Sequence, residues 1–114
     1  MSASLESSGT QLAVINTEHT LHTVSTAGTF SFHVSLLNMT TGDTLELRIY
    51  QKILTGDSPY VAYKQSFYGA PDTDGIIAVS VPIANDLLEA NSLQFTMKQV
   101  AGTGRSFKWK ILRY

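Results

Sequence analysis

Between residues 44 and 54 the chain alternates with a period of two. Leu45, Leu47, Ile49 and Ile53 fall on one side; Glu46, Arg48, Tyr50 and Lys52 fall on the other. Successive side chains leave a strand on opposite faces, so the pattern describes a strand with one face in a core and one in water. Thr55, Gly56, Asp57, Ser58 and Pro59 then break the run with turn formers. The chain returns through residues 60–68, with Val61, Tyr63 and Phe67 on one side and Ala62, Lys64 and Ser66 on the other. Residues 42–69 therefore read as one long β-hairpin.

The same cadence runs through the rest of the chain. Short strands are expected at residues 10–15, 19–24 and 29–37, the last with Phe30, Phe32, Val34 and Leu36 on its core face. After the hairpin, residues 76–81 form a strand with Ile77, Val79 and Val81 aligned on one face. Pro82 ends it or sits at an edge, since it cannot donate to a ladder. Residues 83–91 are the one candidate helix, with Asn85 as its cap and Leu87 and Leu88 in its turn. Strands at 92–100 (Leu93, Phe95 and Met97 inward) and 105–113 (Phe107, Trp109 and Ile111 inward) close the chain, joined by a glycine-bearing hairpin loop at 101–104. About eight short strands with at most one helical turn read as an all-β antiparallel β-sandwich. Eight strands suit a jelly roll; the short link between the two central strands sits awkwardly with a strict one.

A chain of 114 residues suffices for one domain and one core. Residues 10–114 are read as that domain. Residues 1–9, rich in serine with Leu5 the one large apolar side chain after Met1, are read as a flexible arm available to a neighbour. They carry no basic residue and no apolar core, which is not the pattern of a signal peptide. Cytoplasmic assembly is the corresponding expectation. The net charge of −1 argues against a general nucleic-acid binder, and no apolar run approaches the ~18 residues of a membrane helix. With no cysteine, disulfides, thiolate zinc sites and thiol catalysis are excluded.

No residue constellation argues for catalysis. His19 and His22 are three apart on an expected strand, and so point to opposite faces. Asp72 and Asp74 flank Thr73 in a loop where aspartate is common because it bonds the nearby backbone. No metal and no cofactor is expected. Charge, however, is unevenly placed. Residues 98–114 carry Lys98, Arg105, Lys108, Lys110 and Arg113 with no acid, whereas residues 66–97 carry four acids and no base. Opposite patches suit protein–protein docking. Tyr50, Tyr60 and Tyr68 lie on or near the outward face of the central hairpin, where exposed aromatics can anchor an interface or stack on sugar rings.

Two segments carry a resemblance. Residues 42–50 (Gly42, Asp43, Thr44, Leu45, Glu46, Leu47, Arg48, Ile49, Tyr50) and residues 98–110 (from Lys98 through Gly102, Thr103, Gly104, Arg105 to Phe107, Trp109 and Lys110) resemble short all-β virion proteins of tailed bacteriophages. The resemblance implies a capsid cement or decoration protein on the virion surface, without enzymatic activity. It would bind the major capsid protein and its own copies, as a dimer or trimer. The candidate partner-binding residues are Leu5 in the arm, Arg105, Lys108, Lys110 and Arg113 at the basic end, and Tyr50 and Tyr60. A carbohydrate-binding or host-recognition module of a tail or fibre is the alternative expectation, resting on the tyrosines.

Overall fold

The computed structural model describes residues 3–114. Among them nine strands form two antiparallel sheets: β1 (Ser4–Leu12), β2 (Glu18–Val24), β3 (Gly28–Ser35), β4 (Thr44–Gln51), β5 (Tyr60–Tyr68), β6 (Ile77–Val79), β7 (Ile83–Asn85), β8 (Leu93–Ala101) and β9 (Ser106–Arg113). Sheet A has the order β1-β9-β3-β6, with β7 also pairing β3; sheet B has the order β2-β8-β4-β5.

β6 and β7 are two halves of one interrupted strand. β6 pairs residues 33–35 of β3, and β7 pairs residues 28–30 of the same strand. Pro82 lies in the gap, as a residue without an N–H must. Ser80 repairs the ladder there. Its N–H donates to Phe32 O at 2.8 Å, and its Oγ accepts the Phe32 N–H at 2.9 Å. Counted as one strand, β6/β7 leaves eight strands in the orders 1-8-3-6 and 2-7-4-5, which is the jelly-roll arrangement. The short β4–β5 link belongs to it, because those two strands are neighbours in sheet B.

The core lies between the sheets. Sheet A contributes Phe30, Phe32, Val34, Phe107 and Ile111; sheet B contributes Leu45, Leu47, Ile49, Leu93, Phe95 and Met97. Phe95 meets the edge of Phe32, with ring centroids 5.5 Å apart and planes at 72°. Burying a side chain of this size contributes roughly 2–3 kcal/mol relative to leaving it in water.

Several expectations are corrected. Residues 4–9 are not a free arm but most of β1, paired along β9; Met1 and Ser2 lie outside the described residues. Gly9 leaves room for the Trp109 ring opposite it, since a Cβ there would lie 3.2 Å from the ring. The helix at 83–91 does not form. Asn85 is buried instead, and its Nδ2 donates to Thr26 O, Leu87 O and Ser92 Oγ. A polar side chain with these backbone partners stabilises a loop, and Leu88 is left exposed. Ile53 lies beyond the end of β4 and is exposed as well. A 3-10 turn, Thr73–Gly75, lies elsewhere, in the loop holding Asp72 and Asp74.

β6 turns its aligned branched residues outward. Ala78 and Ser80 face the core, and Ile77 and Val79 point outward with 60% and 55% exposure; Val81 beyond them is exposed too. Ala78 pairs with Val34, and Ser80 lies against Phe32. The inner side at this edge is already filled by large β3 side chains, so the small residues face in and the branched ones face out.

Candidate functional site

The two sheets present outer faces of different character. On sheet B the charged side chains satisfy one another. Tyr50 Oη donates to Glu18 Oε2 at 2.6 Å, and Thr96 Oγ1 donates to the same oxygen at 2.7 Å. Burial raises the Tyr50 pKa, and the bond to Glu18 raises it further. For Glu18 burial is the largest influence and opposes ionisation, but the bonds from Tyr50 and Thr96 outweigh it and hold the carboxyl below its ordinary value. Alongside, Arg48 Nη2 donates to Glu46 Oε1 at 2.7 Å, and Lys64 Nζ lies 3.6 Å from Glu46 Oε2. Arg48 Nη1 is buried without a partner.

On sheet A the outward positions follow from the register. Phe107 and Ile111 are buried, so Lys108, Lys110 and Leu112 face out. Phe32 and Val34 are buried, so Ser31, His33 and Ser35 face out. Across β9 and β3 this aligns Ser8, Lys110, His33 and Val79 in one row, and Thr10, Lys108, Ser35 and Ile77 in the next. Leu5 pairs with Leu112 and is exposed. The rows enclose a groove of about 390 Å³ lined by Ser8, His33, Ser35, Ile77, Lys108 and Lys110, among others. His33 Nε2 and Tyr114 Oη share hydrogen bonds with Ser31 Oγ, at 2.8 and 3.1 Å. Burial lowers the His33 pKa and the Lys110 charge lowers it further, so the ring is neutral at pH 7.

Of the residues singled out in the sequence, Lys108 and Lys110 line the groove, and Leu5 lies on the same face outside it. Arg105 does not. Its Nε donates to Asp43 Oδ2 at 2.9 Å, and its Nη2 donates to Thr40 Oγ1. Asp43 is 2% exposed and also accepts the N–H groups of Thr40 and Thr103. Burial opposes its ionisation most strongly, but these bonds and Arg105 together hold its pKa below the ordinary value. Arg113 donates to Ala27 O, beside Gly28 at the end of the sandwich. Tyr50 is tied to Glu18 on the opposite sheet. Tyr60 and Tyr68 are exposed at the two ends of β5, roughly 26 Å apart along the strand, so the three tyrosines make no single platform. His22 joins Glu6 at 3.0 Å, linking β2 to β1, and His19 accepts the Val14 N–H.

Ile77, Val79 and Val81 lie at the surface. Their alternation was legible, but alternation defines two faces without saying which one meets the core.

Residues 42–50 and 98–107 belong largely to the scaffold, whereas Lys108 and Lys110 line the groove. Gln99 is fully buried near the end of β8 and braces the turn to β9; its Nε2 donates to Ala101 O and Thr103 O, and its Oε1 accepts the Arg105 N–H. Gly102, at φ +88°, leaves room for Asp43, which a Cβ would strike. The fold thus defines the class of protein: a jelly-roll β-sandwich with one self-satisfied face and one apolar–basic face. No family model matches the chain, and no curated protein or solved structure matches it either.

Proposed function

We propose that the chain is a non-enzymatic capsid cement or decoration protein, seated on the major capsid protein through the outer face of sheet A. The observation that carries the reading is the outward phase of Ile77, Val79 and Val81, on the sheet that also exposes Leu5. A strand that turns its branched residues to water forgoes their burial in its own core. Burial against a partner recovers it. The resemblance of residues 42–50 and 98–110 supplies the identity of the partner, since jelly rolls serve in viral capsids and in lectins and the fold alone does not choose.

In this reading the protein acts at the virion surface after assembly in the host cytoplasm. It holds neighbouring capsid subunits together, and copies repeated over a lattice, as dimers or trimers, add avidity to a modest single contact. The glycan-binding reading would rest on Tyr60 and Tyr68, which share no surface.

The test is co-sedimentation with capsids assembled without this chain. Binding at a fixed ratio per capsid subunit, lost in an Ile77→Ser/Val79→Ser variant that unfolds at the wild-type temperature, is expected. Wild-type protein that stays in the supernatant defeats the reading.

A further inference from the structure

We infer that the groove on the outer face of sheet A takes an extended, acidic segment of a protein partner, with carboxylates on alternate residues and an apolar side chain beside them. The inference rests on the docking reading of this face and adds the chemistry of the occupant.

Most basic side chains of the chain already have a partner. Arg48 and Lys64 meet Glu46, Lys52 meets Glu89, Arg105 meets Asp43, and Arg113 donates to Ala27 O. Lys98 lies in the field of Glu18. Among the described residues Lys108 and Lys110 form no ion pair, and both line the groove. They are two apart on β9, so they stand on the same face roughly 7 Å apart. None of the outward positions of β1, β9, β3 and β6 on this face is acidic. The Lys110 charge is strong enough at the groove to help hold the His33 ring neutral. The face therefore offers two cations and no anion, against the apolar wall of Ile77.

An extended segment matches this spacing. Its side chains at i, i+2 and i+4 share one face at intervals of about 7 Å, so carboxylates at i and i+2 match the two lysines and an apolar side chain at i+4 arrives beside them. The ammonium groups meet the carboxylates while Ile77 covers the hydrocarbon. Nucleic acid is a poorer fit. It presents repeated phosphates and stacking bases, whereas the face has two lysines beside an aliphatic wall.

The probe is the blocked heptapeptide Ser-Glu-Ser-Glu-Ser-Leu-Ser, titrated into the full chain and followed by backbone amide chemical shifts. Saturable shifts confined to β1, β3, β6 and β9 are expected. Affinity should fall at least tenfold in Lys108→Glu/Lys110→Glu and several-fold in about 0.5 M salt, where exposed charges are screened. It should be unchanged in Tyr50→Phe. If the charge reversal unfolds the chain, Lys108→Gln/Lys110→Gln carries the same test with a smaller loss. Equal binding of the peptide with glutamine in place of glutamate would overturn the inference. So would tighter binding of an oligodeoxythymidine at the same face. The two readings fail separately. Capsids bound equally by wild type and Lys108→Glu/Lys110→Glu would sink this inference and leave the capsid reading standing. Peptide binding without capsid binding would do the reverse.

Discussion

The outer face of sheet B and the outer face of sheet A are built from the same strand periodicity but end in different states. Sheet B carries Glu18, Glu46, Arg48, Tyr50 and Lys64, and nearly every polar group among them finds another. Sheet A carries Lys108 and Lys110 without an acid, and Ile77 and Val79 without a cover. A face whose charges are mutually neutralised gains little from a partner, because docking would first have to desolvate bonds already made. A face with unpaired cations and exposed branched side chains loses little on docking and recovers apolar burial. Charged and aromatic residues alone are thus poor guides to an interface; what matters is whether their interactions are already complete.

The largest expected effect lies in the scaffold that both faces share. Asp43→Ala removes the acceptor of two backbone N–H groups and of Arg105, and should cost about 3 kcal/mol in chemical denaturation. Preserved stability would mean that the loops on either side of Asp43 are not held by it. Next, Ile77→Ser/Val79→Ser should weaken capsid binding about 100-fold while changing folding stability by less than about 0.5 kcal/mol, as for surface positions. A large loss of stability instead would place these residues in the fold rather than in an interface. Tyr50→Phe should do the opposite. It should cost about 1 kcal/mol of stability for the lost bond to Glu18 and leave capsid binding unchanged.

The smallest effect is the dependence on pH. The His33 pKa is lowered in the fold, so the unfolded chain takes up a proton first as pH falls below 6.5. Stability from this source is present above 6.5 and lost as pH falls through the folded value. The carboxyls of Glu18, Glu46 and Asp43, also lowered, act with the same sign at more acid pH: their stability is present above their ordinary values of 3.8 to 4.5 and lost as pH falls through the folded ones. His33→Gln should flatten the stability profile between about pH 7 and 5 and leave the acid limb unchanged, as read by thermal unfolding.

Much of the fold was legible in the residues. The alternation of residues 44–50 and 93–99 placed β4 and β8 with the right faces inward, and the turn chemistry of residues 55–59 placed the hairpin link. β1 was not legible, because Ser4 to Gly9 has almost no apolar side chain. It is held by main-chain pairing with β9, which composition does not record. The missed helix has a similar cause. Asn85 suits a helix cap or a buried loop anchor equally well, and only Val24, Thr26 and Ser92 folding around it decide between them. Part of the candidate surface could be read: Leu5, Lys108 and Lys110 were chosen for their chemistry and face out on the same sheet. Arg105 was chosen for the same charge, but the acid that neutralises it, Asp43, lies 62 positions away. Sequence spacing hides such a pair.

The chain contains no cysteine, so a single introduced thiol reports one place on its surface. The most direct measurement is the labelling rate of Val79→Cys on the outer face of sheet A, and of Thr20→Cys on that of sheet B, each free and bound to capsids. The account predicts that capsid binding protects the thiol at position 79 strongly and leaves the one at position 20 as reactive as in free protein. Protection at position 20 with free reaction at position 79 would contradict it, and would put the docking surface on the sheet whose charges are already paired.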